Sequence, residues 1–289
     1  MNAATLGALL KEGAAILCEA GVDAPEHDAK ALLAHILGVG LNDVLLHADR
    51  PAEALDARLY WHLIALRARR MPLQYVTRTT HFCGLELKTD DRALIPRQET
   101  EQLVEAVVER LRELAPGAED YIVDVGCGSG AIGLSIAARI PRVQIVMTDV
   151  SRDALDLTAE NATRLGMAER VVLLQGSYLE PMWAGGLEHG VVAVICNPPY
   201  VRPDEMALLD PEVHAEPNLA IQSPATDGMV AYRVLAEEAP KLPRLRLLAF
   251  EVGFEQAPDV VAMVEHLGPV EVLLDYADIE RMVIVHVVH

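Results

Sequence analysis

From Tyr121 onward, short apolar runs alternate with amphipathic stretches. No other feature constrains the chain more, because such alternation demands a parallel sheet covered by helices. The runs are YIVDVG (121–126), VQIVMTDV (143–150), VVLLQG (171–176), VVAVIC (191–196) and LRLLAFEV (245–252), followed by VEVLLDYA (270–277) and RMVIVHVV (281–288). Only Asp278 to Glu280 separate the last two, too few residues for a crossover helix, so that pair is expected to be antiparallel. The pattern predicts a seven-stranded, Rossmann-like α/β domain. In a 3-2-1-4-5 order its first and fourth strands are neighbours at the reversal, where open sheets bind ligands.

Residues 1–74 carry helical periodicity instead. LGALLKEGAAILCEAG closes at Gly21, and PEHDAKALLAHILG opens on Pro25 and ends at Gly38, with Ala29, Leu32, Leu33, Ile36 and Leu37 on one face. Asn42 is placed to cap a short third helix, and AEALDARLYWHLIALRARR gives a fourth with the stripe Leu55, Leu59, Leu63 and Leu66. A small helical bundle is expected. Over QYVTRTTHFCGLELKTD (74–90) the period falls to two, with a turn at Cys83-Gly84, so 75–95 reads as a β-hairpin linking the bundle to a domain at 96–289. After Pro96 a helix presents Leu103, Val104, Val107, Val108 and Leu111 on one side.

Composition narrows the function. The longest apolar stretches, such as Val191–Cys196, fall far short of the ~18 residues that span a bilayer, and the first Lys, Lys11, lies inside an amphipathic pattern rather than a leader. A soluble, cytoplasmic protein with no membrane association is expected. Cys18, Cys83, Cys127 and Cys196 are scattered and the ten His form no ligand spacing, so neither a disulfide framework nor a metal is expected. The net charge is −19, from 43 acids against 24 bases of which only four are Lys. That balance repels phosphate backbones and makes nucleic acid an unfavourable substrate.

Two turns carry the chemistry. VDVGCGSGAIG places Gly126, Gly128 and Gly130 between the first strand and a helix, where glycines let a ligand approach the backbone and free N–H groups attract negative charge. Gly128-x-Gly130-x-x-Gly133 also fits the dinucleotide pattern, so a nicotinamide cofactor stays open here. Asp149 ends the second strand, 23 residues after Gly126, a placement suited to ribose hydroxyls for either ligand. Asn197-Pro198-Pro199-Tyr200 leaves the fourth strand into the same crevice. An amide or exocyclic amine is a poor nucleophile because its lone pair is delocalised. The Asn197 side-chain oxygen and the Pro198 carbonyl can bind both hydrogens of one –NH₂ and favour its pyramidal, reactive geometry. The prolines hold these acceptors rigidly, and Tyr200 adds an aromatic face for a planar amide or a sulfonium methyl.

With its helical N-terminal region, hairpin, ALIPRQETE, VDVGCGSGAIG, NPPY and EPNLA…DGMVAYR, nearly the whole chain resembles the protein-(glutamine-N5) methyltransferases of class I peptide chain release factors, the PrmC/HemK family. NPPY alone is shared with other amino-methyltransferases; RRMPLQYV and LIPRQETE are more specific. The resemblance implies S-adenosylmethionine bound by Gly126, Cys127, Gly128, Ser129 and Gly130, with Asp149 on the ribose, Tyr178 near the adenine and Asn197 facing cofactor and substrate alike. Asn197, Pro198, Pro199 and Tyr200 would hold the glutamine of the release factor's Gly-Gly-Gln loop, and the helical domain would help dock that protein. The chain departs from the family at Gln98, where Pro is usual, and at Ser177, where Asp is usual. The alternatives are methylation of a ribosomal-protein glutamine or of a nucleic-acid amine and, from other classes, a nicotinamide oxidoreductase or a non-catalytic ligand-binding protein.

Overall fold

A computed structural model describes residues 4–289 and divides them into two compact units. The first holds the chain up to Thr79 together with Asp210–Ala215, and the second holds Thr80–Leu209 and Glu216–His289. Linear reading could not foresee the inserted segment 210–215, because its residues carry no periodicity.

The first unit is built from α1 (Leu6–Glu19), α2 (Pro25–Leu37), α3 (Asp43–Leu46), α4 (Ala54–Ala68) and α5 (Leu73–Thr77). Pro25 at the first position and left-handed Gly38 beyond the last fix the ends of α2. Asn42 precedes α3 but makes no side-chain capping bond. The expected stripe on α4 holds in its second half only: Leu63 and Leu66 pack against the bundle core, Leu55 and Leu59 are exposed, and Tyr60, Ile64 and Arg67 are the buried residues. The cause lies on α1. A Cβ on Gly13 would sit 2.1 Å from the Tyr60 hydroxyl, so the missing side chain opens the hole that Tyr60 fills and thereby selects that face. Arg67 donates to Asp28 at 2.7 Å and pairs with Glu212 of the inserted segment at 2.8 Å; Arg70 grips Glu212 bidentately, both bonds 2.6 Å.

The second unit opens with a hairpin, β1 (Thr79–Phe82) and β2 (Leu85–Lys88). Of the expected hairpin linker at 75–95, the two strands occupy only 79–88. α5 runs through its start, and Phe82 and Leu87 are buried in one core with Leu103 and Val107 of α6 (Gln98–Leu114), so the hairpin is part of the second unit. There follow β3 (Tyr121–Val125), α7 (Ala131–Arg139), β4 (Gln144–Asp149), α8 (Arg152–Arg164), β5 (Val171–Gln175), α9 (Glu180–Gly185), β6 (Val191–Cys196), α10 (Asn218–Ile221), α11 (Val230–Glu238), β7 (Leu247–Glu251), α12 (Ala257–Val264), β8 (Val270–Leu274) and β9 (Glu280–His286). The sheet order is β5-β4-β3-β6-β7-β9-β8, parallel except for β9, which is antiparallel to both neighbours. The seven strands, the reversal at β3 and β6 and the terminal antiparallel pair match the sequence reading. Alternate strand residues feed two cores: Ile122 packs with Leu103, Ile136 and Leu155 of α6, α7 and α8, and Val123 with Met182, Leu235 and Val260 of α9, α11 and α12.

Candidate active site

Four adjacent strands, β4, β3, β6 and β7, bring their carboxyl ends side by side, at Asp149, Val125, Cys196 and Glu251. The glycine turn follows Val125 and the NPPY turn follows Cys196, residues that are partners in register.

Gly126, Gly128 and Gly130 take φ values of 70°, 57° and 80°, the left-handed region that side chains resist. A Cβ on Gly130 would meet Thr158 Cγ2 at 2.8 Å, whereas one on Gly126 would meet nothing within 4 Å. One glycine is closed against α8 and the other borders open space.

The turn's N–H groups, expected to be free, are mostly in use. Gly126 and Cys127 both donate to the Thr148 carbonyl, at 2.8 and 3.0 Å, Gly130 donates to the Cys127 carbonyl at 2.8 Å, and Gly128 donates to Asp149 Oδ2 at 2.9 Å. The register explains this: Val125 pairs with Thr148, so β4 presents its penultimate carbonyl and the carboxylate of its last residue to the turn next door. Asp149 Oδ1 also accepts from Ser151 N at 2.8 Å, and the Ser151 hydroxyl caps α8. The Thr148 hydroxyl donates to the Tyr178 carbonyl at 2.9 Å, tying Tyr178, half-buried at φ 48°, to the strand that holds the glycines.

α8 braces the turn from the other side. Thr158 donates to the Gly128 carbonyl at 2.8 Å, and the Asn161 amide donates to the carbonyls of Ser129 at 2.9 Å and Lys88 at 3.0 Å while accepting from Lys88 N at 2.7 Å. The side chains of Cys127 and Ser129 are buried, so this stretch offers a ligand its backbone only.

Asp124, which the sequence reading passed over, lies fully buried one residue before Val125. Its Oδ2 accepts from Gly133 N at 2.8 Å, its Oδ1 has no partner among the described residues, and burial pushes the carboxyl up to about 7. An acid inside an otherwise apolar strand was the available signal. A dinucleotide pyrophosphate needs free donors and no acid beneath it. Here most of the donors are taken within the protein and Asp124 lies beneath the turn, which leaves little to hold a pyrophosphate.

On the other turn, Asn197 Nδ2 donates to Thr100 Oγ1 at 3.1 Å, while Asn197 Oδ1 and the Pro198 carbonyl accept no hydrogen bond among the described residues. Thr100 donates onward to Glu251 Oε2 at 2.6 Å, and the Tyr200 hydroxyl points to Glu251 Oε1 at 3.4 Å. Glu251 is 1% exposed; burial raises its pKa, opposed by the Thr100 bond and by Arg281. Tyr200 packs against Gly253, where a Cβ would meet its ring at 3.0 Å, and burial keeps its phenol neutral. Glu216 accepts from Ile95 N at 2.9 Å and from Arg97 at 2.6 Å, fixing the LIPR stretch that leads into Thr100. Thr100, Glu216 and Glu251 escaped sequence reading because they meet only through the fold. Among the described residues, no group of three or more His, Cys, Asp or Glu is arranged to hold a metal, and no helix is long and apolar enough to cross a membrane.

Residues 8–77 match the PrmC N-terminal domain and residues 98–210 the methyltransferase small domain. The parallel sheet closed by an antiparallel pair and the family matches together make the chain a methyltransferase. The release factor glutamine methyltransferase of Moorella thermoacetica is 38% identical over 282 residues, covering 96% of both chains, and that of Deinococcus radiodurans is 36% identical over 277 residues, covering 95% of this chain and 96% of its own. The chain belongs to the release factor glutamine methyltransferase family. In fold alone it is similar to the catalytic domain of human METTL16, with a TM-score of 0.55 at 14% identity over 78% of this chain and 82% of that one. Family and fold together imply S-adenosylmethionine as the methyl donor.

Proposed function

We infer that the chain transfers a methyl group from S-adenosylmethionine to the side-chain N5 of the glutamine in the Gly-Gly-Gln loop of class I peptide chain release factors. The observation that carries the chemistry is the pair of acceptors without a hydrogen-bond partner among the described residues, Asn197 Oδ1 and the Pro198 carbonyl, on the strand end beside the glycine turn. Each takes one N–H of the substrate amide, which draws its nitrogen out of conjugation and aims the lone pair at the crevice. Bound there, S-adenosylmethionine would supply an electrophilic methyl and leave as the neutral thioether S-adenosylhomocysteine. The methylated nitrogen, made acidic by alkylation, would give up one of its two hydrogens as a proton to solvent. The chain's own contribution is to bind, orient and exclude water.

In this reading Gly126, Cys127, Gly128, Ser129 and Gly130 form the backbone wall of the cofactor site, the open space at Gly126 admits the ligand, Asp149 meets the ribose and Tyr178 flanks the adenine. Asn197, Pro198, Pro199 and Tyr200 hold the glutamine, and the helical unit docks the release factor. A translation factor as substrate supports a cytoplasmic site of action. The net charge of −19 runs against a nucleic-acid substrate.

The test is methyl transfer from labelled S-adenosylmethionine to an unmethylated class I release factor, with the product mapped by mass spectrometry. One added methyl on the Gly-Gly-Gln glutamine is the expected result. S-adenosylmethionine binding without transfer would overturn the substrate assignment.

A further inference from the structure

Asn197 works only if its oxygen, rather than its nitrogen, faces the substrate, and the two ends of an amide have nearly the same shape. Something must set its direction. Glu251, while ionised, can only accept hydrogen bonds. Thr100 has one hydroxyl hydrogen, and it is directed at Glu251 Oε2 at 2.6 Å. Thr100 Oγ1 can therefore only accept from Asn197, and it does so from Nδ2 at 3.1 Å. A reversed amide would point Oδ1 at an oxygen with no hydrogen left to give. Burial raises the Glu251 pKa, the Thr100 bond and the Arg281 charge oppose that rise, and the Tyr200 hydroxyl points to the second carboxylate oxygen; while Glu251 is ionised, the chain of bonds runs one way.

We propose that Glu251 and Thr100 are positioning residues whose one-way hydrogen bonds lock the Asn197 amide with its oxygen toward the substrate nitrogen. Neither needs to touch the substrate. The inference rests on the methyl-transfer reading and adds two residues that lie 97 and 54 positions from Asn197 in sequence.

The experiment uses the full chain, a purified release factor and labelled S-adenosylmethionine, with cofactor affinity measured by calorimetry. Thr100→Val keeps the shape and removes the hydroxyl. It is expected to lower kcat about 30-fold while cofactor Kd stays within about twofold, and Thr100→Ser is expected to recover to within about threefold of wild type. In an Asn197→Ala background Thr100→Val should cost nothing further, because the relay acts through Asn197. Wild-type turnover in Thr100→Val, equal losses in the Val and Ser variants, or full additivity with Asn197→Ala would each overturn the proposal. Should Thr100→Val fail to fold, Glu251→Gln, which permits both polarities, is expected to lower kcat about fivefold, and no loss there would also overturn it. The Asn197 side-chain amide NMR signals, assigned by their disappearance in Asn197→Ala, give a readout independent of turnover: they should shift in Thr100→Val, and unchanged signals would refute the relay. If the wild type methylates no release factor, the functional reading fails, while these signals still decide the relay.

Discussion

The two turns at the sheet reversal are built on opposite plans. The glycine turn has most of its donors satisfied within the protein, by Thr148 and Asp149 on β4 and by its own Cys127 carbonyl, and its carbonyls are braced by Thr158 and Asn161 on α8. The NPPY turn is held through Asn197 to Thr100 and through Tyr200 to Glu251 and Gln256, and leaves Asn197 Oδ1 and the Pro198 carbonyl without a hydrogen-bond partner among the described residues. The first offers a ligand shape and the second offers chemistry. Damage on one side should therefore appear in cofactor affinity and stability, and damage on the other in turnover.

The largest effect is expected from Asn197→Ala. Turnover on the release factor should fall by about 10²–10³-fold, roughly 3–4 kcal/mol of barrier, with S-adenosylmethionine Kd nearly unchanged. Parallel turnover and calorimetry would check it, and a weakened Kd with preserved kcat would break the division of labour. Next comes Asn161→Ala, which leaves Lys88 N, the Lys88 carbonyl and the Ser129 carbonyl without this partner. A loss of about 2–3 kcal/mol in chemical denaturation is expected, together with weaker cofactor binding. Gly126→Ala has room for its methyl but must hold φ at 70°. That costs about 1–2 kcal/mol, and cofactor affinity should drop about tenfold while kcat at saturating cofactor stays close to wild type.

The smallest effect concerns the outer brace of the glycine turn. Glu160, beside Asn161, is held down to about 2 by Arg92 and then Lys88, against an ordinary 4.5. Its folded pKa is depressed, so its contribution is complete above about pH 4.5 and disappears as pH falls toward 2. Because the group is largely exposed, comparison of Glu160→Gln with wild type across this window should show a difference below about 1 kcal/mol.

The sheet, its order and both turns were legible because strands and turns are local: period, length and glycine or proline placement are written in consecutive residues. The stripe on α4 is right at Leu63 and Leu66 and wrong at Leu55 and Leu59, because the buried face centres on Tyr60, Ile64 and Arg67, and the hole at Gly13 on a different helix sets that centre. The hairpin at 75–95 looked like a linker because the core it joins, around Leu103 and Val107, lies later in the chain. Within the site, Asn197 and Asp149 stood out as polar residues at strand ends. Thr100, Thr148, Asn161 and Glu251 did not, since a buried polar side chain becomes recognisable only when its partner is known. The turn's N–H groups were misjudged for the same reason: their acceptors sit on the neighbouring strand.

The cysteines of the second unit have a practical consequence. Burial raises the thiol pKa of Cys127, in the glycine turn, and of Cys196, just ahead of Asn197, well above its usual value, and pushes Cys83 up to about 11. All three stay as unreactive thiols near neutral pH, so the catalytic end of the sheet should tolerate mild oxidants and alkylating reagents. Cys18, exposed on α1, is then the thiol a maleimide dye meets first. Cys18 is thus the first position to try for a fluorescent or spin label on the helical unit.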